Sequence, residues 1–274
     1  MKKDYNILVC INKKCRDLLI TMLNSLCRNN PDAHVNLYCI HSELDEQDKE
    51  CISSFNPSER IKYNFLEIDK ELFSSFPTVK RYPVEIYYRL FAFRLLPIDM
   101  ERILYLDVDI IVKGSIDALY NMSFDNKMLI ATTHINKLMT FINKLRLGVF
   151  GKGYIYANSG VMLMNLPIMR ETINENDIVK FIRRRKLLMT LYDQDVIFGL
   201  YGNKIGLVSS KIYNLSDREI KLNNMMSKNK IDFQWVEKNN IIIHYIGKNK
   251  PWKKGYQGIL GVYYSKYEKA SASK

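Results

Sequence analysis

Cysteine is scarce in this chain of 274 residues, and its distribution excludes two kinds of site. The five cysteines all fall between residues 10 and 51, their number is odd, and no CxxC pair occurs. A disulfide framework and a zinc knuckle both need cysteines in regular pairs, so neither is expected. Reduced thiols are typical of the cytosol, and we therefore predict a cytoplasmic protein.

Long hydrophobic runs are also absent. No segment approaches the roughly 20 consecutive apolar residues that a membrane-spanning helix needs. The apolar stretch near the start ends at Asn12, which is too short for a signal sequence, and no small-residue cleavage site follows it. We expect any membrane contact to be peripheral.

The chain has no internal repeat and no linker-like segment rich in proline, glycine and serine. Its 47% hydrophobic and 26% charged residues are typical of a globular protein with a sizeable core. We predict one domain with a short C-terminal appendage.

Acidic residues are in deficit. The chain has 41 Lys+Arg against 29 Asp+Glu, which gives a formal net charge of +12. This excess favours an anionic partner such as nucleic acid, acidic lipid or a phosphorylated substrate, and charge alone does not distinguish among them.

Strand and helix patterns alternate along the first quarter of the chain. Such alternation predicts an α/β fold whose mostly parallel central sheet is built from βαβ units and flanked by helices. The predicted strands are 7–11, 35–40, 61–68, 102–112, 128–133, 161–164 and 241–246. The predicted helices are 16–28, 42–55, 83–96, 115–120, 167–186 and 193–202, and residues 136–153, which are polar and end in three glycines, predict a mobile loop.

The most informative motif is Asp107-Val108-Asp109, which lies inside the otherwise apolar stretch 102–112. Residues two apart in a strand project to the same face, so two like charges would meet in apolar surroundings. A divalent cation neutralises such a pair, and carboxylate oxygens are its natural ligands. The alternative is a strand end whose acids cap the next turn.

Three further polar groups lie at predicted element ends, where open α/β sheets keep their sites. They are Asn158-Ser159-Gly160, Asp193-Gln194-Asp195, and the segment from His244 to Trp252. Within the last segment, Gly247 permits close backbone approach and Lys250 offers a mobile charge suited to phosphate. Taken alone, His244 is more typical of a core histidine bonded to a backbone carbonyl, and Pro251-Trp252 is typical of a packed turn.

Taken in order, these segments resemble glycosyltransferase family 8, over about residues 5–253. The DxD stretch 103–119, the NxGVxLxN strand at 156–165, the DQD at 193–195 and the HxxGxxKPW at 244–252 all resemble the family's motifs. The family includes glycogenins and bacterial lipopolysaccharide galactosyl- and glucosyltransferases. The resemblance implies a GT-A catalytic domain over residues 1–253, followed by a basic, aromatic tail over 254–274.

The resemblance also implies a function, namely retaining transfer of a hexose, glucose or galactose, from a UDP-sugar to a glycan or lipid-linked saccharide. Asp107, Asp109 and His244 would hold the metal, and this mixed ligand set suits Mn²⁺ better than Mg²⁺. Gln194, nearest the reactive carbon, and Asp193 would be the catalytic residues. Gln194 is a poor nucleophile, which favours direct attack by the acceptor hydroxyl over a covalent intermediate. The nucleotide-sugar would contact Cys10, Asn12, Arg89, Asp107, Val108, Asn158, Gly247 and Lys250.

The chain departs from the family at two positions. The tyrosine that stacks on uracil is absent from Ile11-Asn12-Lys13-Lys14-Cys15, which leaves the identity of the base open. His134 stands where relatives often carry an acid that contacts the sugar, so the donor hexose does not follow from the resemblance.

The tail and the residues just before it, Lys248 to Lys274, mix lysines with Trp252, Tyr256, Tyr263, Tyr264 and Tyr267. Basic residues interleaved with aromatics suit an anionic membrane surface, and we predict that the tail contacts one. They also suit nucleic acid, but no recognised nucleic-acid module is visible, so nucleic acid is not expected. A basic membrane- or nucleic-acid-binding module without catalysis is the alternative function, and a DxD phosphatase is a weaker one.

Overall fold

The computed structural model describes residues 3–74, 76–77 and 84–268. The strands are β1 Lys3–Cys10, β2 Ala33–His41, β3 Ile61–Glu67, β4 Arg102–Leu106, β5 Ile110–Val112, β6 Leu129–Thr132, β7 Asn158–Asn165, β8 Ile205–Leu207 and β9 Ile242–His244. The first six α-helices are α1 Arg16–Asn29, α2 Glu46–Ser53, α3 Tyr88–Leu95, α4 Asp117–Tyr120, α5 Lys137–Leu147 and α6 Leu166–Thr172. The others are α7 Glu175–Arg185, α8 Tyr192–Tyr201, α9 Ser210–Tyr213, α10 Asp217–Met226, α11 Phe233–Asn239 and α12 Gly261–Glu268.

Seven strands form one sheet in the order β3-β2-β1-β4-β7-β6-β8. Only β7 runs against its neighbours, and every other pairing in this sheet is parallel. The predicted α/β class with a mostly parallel sheet is confirmed. The remaining strands, β5 and β9, pair with each other as a separate antiparallel ribbon.

Helices cover both faces of the main sheet because the central strands are apolar on both sides. Along β1, Ile7 and Val9 belong to the core beneath α1, whereas Leu8 belongs to the core beneath α3 and α8. This is the alternation expected of a parallel strand with two buried faces. The carboxyl ends of β1 and β4 therefore meet between two apolar layers.

The stretch 102–112, predicted as one strand, is two strands in two sheets. The chain leaves the main sheet after Leu106, bends through 107–109 and joins β9 as β5. At the bend, the backbone N–H of Asp107 donates to the carbonyl of Gly160 at 2.8 Å. A continuous strand would have carried both acids deeper into apolar surroundings, which is costly for charged groups.

The prediction of a mobile loop at 136–153 is wrong for most of that segment, because residues 137–147 form helix α5. Asn136 caps the helix by accepting from the N–H of Met139 at 2.9 Å, and Gly148 ends it in the left-handed conformation, with φ 60°. Both are common helix-end signals. These signals were overlooked because the apolar side of this helix faces solvent and not the core.

Two predicted helices have different bounds in the structure. The helix predicted at 167–186 is divided into α6 and α7, and Asn174 caps the second by accepting from the N–H of Asn176. The helix predicted at 83–96 begins with a 3₁₀ turn, Val84–Tyr87, and continues as α3. Its first predicted residue, Pro83, lies outside the described residues.

The C-terminal segment folds back on the domain. Tyr263, Tyr264 and Tyr267 of α12 are buried in a third core cluster beside β9. Asn24 of α1 donates to the carbonyl of Tyr267 at 2.6 Å. The prediction that these tyrosines contact a membrane is therefore wrong, since packing against α1 removes them from the surface. Residues 269–274 of the tail lie outside the described residues.

Among the described residues, the structure contains no helix long and apolar enough to cross a membrane.

Candidate active site

Asp107, Asp109 and His244 converge where the bend meets β9. One ligand atom from each lies within 4.8 Å of those from the other two. Nε2 of His244 is 3.1 Å from Oδ1 of Asp109 and 3.6 Å from Oδ2 of Asp107. The imidazole is buried and the two carboxylates are half-buried, so the cluster is partly open to solvent. Its donor set, two hard oxygens and one imidazole nitrogen, fits a divalent cation.

The orientation of His244 is fixed from behind by Asn214. Nδ1 of the imidazole is 2.8 Å from Oδ1 of Asn214. The Asn214 amide group is oriented in turn, because its Nδ2 donates to Asn158 and Thr132. An amide oxygen can only accept, so Nδ1 donates to Asn214 and Nε2 faces the acids. Such second-layer hydrogen bonds are typical of histidines that ligate metals.

Gly160 allows the cluster to close. A Cβ at this position would lie 2.2 Å from Cε1 of His244 and 2.8 Å from Oδ2 of Asp107. No side chain fits between these groups. The glycine of the Asn158-Ser159-Gly160 motif is therefore required by the approach of β7 to the acids and the imidazole.

Positive charge from Lys250 compensates the cluster. The Lys250 ammonium pairs with Asp109 and also donates to the carbonyl of Tyr245. Burial opposes ionisation of Asp109, but His244 and Lys250 outweigh it and hold the pKa of this carboxyl well below its usual range. Gly247, with φ 95°, forms the turn that returns Lys250 to the acids.

A buried arginine connects the two acidic motifs. Nη2 of Arg89 is 3.0 Å from Oδ1 of Asp107, and its Nη1 is 3.4 Å from Oδ2 of Asp193. The guanidinium lies over the ring of Tyr105, with 4.3 Å from Cζ to the centroid. The Tyr105 hydroxyl donates to Asp107 at 2.6 Å. Arg89 thus holds Asp107 and α8 at a fixed separation.

The carboxylate of Asp193 does not have all of its hydrogen bonds. Burial raises the pKa of this carboxyl, and Arg89 only partly opposes the effect. Its Oδ2 is buried without a well-aligned hydrogen bond. Its ion pair with Arg89 is long, at 3.4 Å, and such a loosely held buried oxygen is consistent with a group that contacts a ligand. Gln194, the next residue, is half-buried.

Asp195 faces away from this site. Its side chain is 0% exposed and accepts from Arg146, Tyr156 and the N–H groups of Thr190 and Leu191. Every lone pair has a partner, which is the arrangement of a structural buried ion pair.

The residues after β1 surround a buried carboxyl that sequence reasoning missed. Asn12 caps the turn Lys13–Cys15 by accepting from the N–H of Lys14, and its Nδ2 is 3.5 Å from Oε1 of Glu85. Oε2 of Glu85 is buried without a partner. Burial raises the pKa of the Cys10 thiol to about 12, with Arg89 opposing, so the thiol is neutral.

Of the predicted site residues, Asp107, Asp109, His244, Lys250, Arg89, Asn158 and Asp193 are linked by direct or shared contacts. Val108 lies between the two acids, half-buried against the core beneath α1. Asn214, Tyr105 and Glu85 were not predicted. Asn214 carries no local signal, because it gains its role only where α9 ends beside β9 and β7.

The sheet and the polar cluster at its carboxyl edge define a GT-A-type α/β protein. The chain superposes on the galactosyltransferase LgtC, solved with donor and acceptor sugar analogues, with a TM-score of 0.81 over 98% of this chain and 97% of that one. The two sequences are 20% identical, so this similarity establishes the fold.

The family follows from the sequence comparison. Residues 6–255 match the model of glycosyl transferase family 8, and the chain belongs to that family. It is 24% identical to a lipopolysaccharide 1,3-galactosyltransferase of Salmonella typhimurium over 81% of this chain and 65% of the relative. It is 26% identical to a lipopolysaccharide 1,2-glucosyltransferase of Escherichia coli over 83% of this chain and 67% of the relative. The chain thus spans about two thirds of the length of these relatives.

Proposed function

We propose that this protein is a metal-dependent, retaining hexosyltransferase that moves glucose or galactose from a UDP-sugar to a glycan or lipid-linked saccharide. Family membership supports transferase chemistry, and the names of the two relatives support these hexoses and a saccharide acceptor. The family match over residues 6–255 supports a catalytic domain over residues 1–253.

The observation that carries the proposal is the convergence of Asp107, Asp109 and His244, with Nε2 of the histidine directed at the acids by Asn214. The two carboxylates repel each other even with Arg89 and Lys250 beside them, and a divalent cation between them would relieve that repulsion. Mn²⁺ is the proposed ion, held by these three residues. When bound, it supplies Lewis acidity to a diphosphate leaving group.

Protein groups would stabilise the same leaving group. Lys250 lies beside Asp109, where its ammonium could contact a diphosphate oxygen, and the positive φ of Gly247 allows the backbone to approach closely. Positive groups aimed at developing charge lower the barrier most when they are fixed before the reaction. Arg89 is itself fixed, because it is buried and pairs with the carboxylates of Asp107 and Asp193.

The sugar would lie between the metal cluster and the first turn of α8. We propose that Arg89, Asn158, Asp193 and Gln194 contact it, and that Cys10, Asn12 and Val108 line the nucleotide side. The amide of Gln194 is too weak a nucleophile for a glycosyl-enzyme intermediate. The acceptor hydroxyl would therefore attack from the face that the diphosphate leaves, with retention of configuration.

The test is a product analysis by NMR with UDP-glucose and UDP-galactose and a panel of saccharide acceptors. We expect an α-linked product from the α-configured donor, turnover that is lost on chelation, and restoration by Mn²⁺. His244→Ala should abolish turnover, whereas His34→Ala, at the far end of the sheet on β2, should not. A β-linked product would contradict retention, and turnover insensitive to chelation would contradict the metal site.

A further inference from the structure

Helix α5 presents its apolar side to solvent. Leu138, Phe141, Ile142 and Leu145 follow the i, i+3, i+4, i+7 spacing of a single helical stripe, and all four are exposed, Leu138 at 65% and Leu145 at 60%. The opposite side is mostly polar: Asn143 bonds Arg146, and Lys144 bonds the carbonyl of Gly151. Leu147 is the one buried residue of the helix. This is the reverse of a helix that packs against a core.

The segments that follow α5 and α7 carry two more exposed apolar side chains. Phe150 is 82% exposed and Leu187 is 97% exposed. Arg146 bonds the carbonyl of Leu188, and the Arg185 guanidinium lies against Gly148. The end of α7 therefore lies next to α5. We call the exposed side of these two segments the α5 face and define it by Leu138, Phe141, Ile142, Leu145, Phe150 and Leu187, with the basic residues Arg183, Arg184 and Lys186.

The surroundings of the α5 face are strongly cationic. Residues 126–170 contain no aspartate or glutamate, and neither do residues 178–192. Arg183, Arg184 and Lys186 are exposed, and none forms an ion pair with any residue that the structure describes. An apolar stripe bordered by unpaired cations is the pattern of a helix that lies in the interface of an anionic membrane.

We propose that the α5 face docks this protein onto an anionic lipid bilayer. Protruding apolar side chains such as Phe150 and Leu187 enter the acyl boundary, while the arginines contact lipid phosphates. A second copy of the chain fits less well, because a two-fold contact through this face would bring two Arg183–Lys186 segments together. The surface differs from the C-terminal tail, whose tyrosines are buried.

Docking through the α5 face also has a consequence for the site, which rests on the proposed function. Arg146 of α5 binds Asp195 in the first turn of α8, next to Gln194. A bilayer on the α5 face would therefore lie on the side of the molecule where α8 begins. An acceptor saccharide carried by a lipid would then be concentrated near the end of the molecule where α8 begins.

The experiment is vesicle co-sedimentation of the full chain, with phosphatidylcholine vesicles and mixed phosphatidylcholine–phosphatidylglycerol vesicles. We expect binding to the mixed vesicles only, weakened by salt. The triple variant Leu138→Ser/Phe141→Ser/Leu145→Ser should bind about tenfold less or weaker still. The matched control, Leu222→Ser/Met225→Ser/Met226→Ser on α10, removes an equally exposed apolar stripe and should change binding by less than about twofold.

Two charge-reversal variants distinguish the contribution of the α5 face to vesicle binding from that of the tail. Arg183→Glu/Arg184→Glu should reduce binding by about tenfold or more, whereas Lys253→Glu/Lys254→Glu, with the same change in net charge, should have a much smaller effect. All replaced side chains are exposed, so circular dichroism should show unchanged folding. Hydrolysis of UDP-sugar in vesicle-free solution should also be unchanged, which separates docking from the proposed chemistry.

Three results would overturn the proposal. The first is no binding of the wild-type chain to anionic vesicles. The second is equal loss in the tail and α5 variants, which would indicate a non-specific charge effect. The third is a dimer in analytical ultracentrifugation that the α5 triple variant dissociates, because the face would then be occupied by a second copy.

Discussion

The chain contains two pairs of aspartates spaced two residues apart, and the fold uses them in opposite ways. Asp107 and Asp109, at the bend between β4 and β5, converge on Nε2 of His244 at 3.6 and 3.1 Å. Asp193 and Asp195, in the first turn of α8, diverge: the first faces Arg89 and the second faces Arg146.

The backbone explains the difference. The bend at 107–109 brings both acids toward His244, whereas residues two apart in an α-helix point in nearly opposite directions. Converging acids concentrate negative charge at one point and create a site for a cation. The diverging acids contact different arginines, and Asp195 therefore forms a structural ion pair with Arg146. The same spacing therefore predicts different chemistry in a bend and in a helix.

The largest effect that would test this contrast is on activity. Asp109→Asn keeps the shape of the side chain but removes a charged ligand, and we expect the rate of donor turnover to fall by about 10³-fold or more. Asp99→Asn, at an exposed turn, is the matched control and should leave the rate unchanged. Steady-state kinetics with UDP-sugar would measure both, and a residual rate above about one tenth would contradict the role of the converging pair.

The diverging pair should instead show its effect in stability. Asp195→Asn leaves Arg146 without its buried partner, and we expect the free energy of unfolding in urea to fall by about 3 kcal/mol. Asp177→Asn on α7, an exposed acid 4.0 Å from Lys180, should cost less than about 0.5 kcal/mol. A variant Asp195→Asn as stable as the wild type would contradict the structural role of Asp195.

A smaller effect concerns the support behind the converging pair. Asn214→Ala frees Nδ1 of His244, so the imidazole can rotate, and we expect Mn²⁺ affinity by titration calorimetry to fall about 10- to 100-fold. Asn240→Ala is the control, because Asn240 is also buried and bonds three carbonyls beside β9 without touching His244. Equal losses of affinity in both variants would point to general destabilisation.

The smallest effect is the pH dependence of Asp193. Burial raises the pKa of this carboxyl above its unfolded value, so its ionisation opposes folding. This destabilisation is absent below the unfolded pKa of about 4, grows between the unfolded and the folded pKa, and is constant at higher pH. Asp193→Asn should therefore unfold at higher urea than the wild type at pH 7, with the difference vanishing near pH 4. A stability difference independent of pH would contradict this assignment.

Several features of the fold could be predicted from local patterns. The apolar runs around Ile7, Val35 and Ile61, separated by helical spacings, indicated the parallel half of the sheet. The order of the four motifs indicated the family, and the carboxylates of Asp107 and Asp109 indicated a cation site. Each depends on residues close together in sequence, where period and side-chain chemistry are directly visible.

Helix α5 and the C-terminal segment were mispredicted for a shared reason. The apolar stripe of α5 faces solvent and is followed by three glycines, so it lacked the appearance of a packed helix. The tyrosines of α12 had the composition of a membrane-binding tail but are buried against α1. Whether an apolar face is covered depends on what lies opposite it, which local periodicity does not specify.

The sequence by itself determined the strand and helix periods, the pairing of two acids in the DxD motif and the excess of positive charge, because each is a property of neighbouring residues. Only the tertiary structure decided that His244 faces the acids, that Asn214 orients it, that Asp193 and Asp195 serve different purposes, and that α5 is left uncovered. These outcomes depend on contacts between distant segments, and they are set by the packing of β7, β9 and α8 around one end of the sheet.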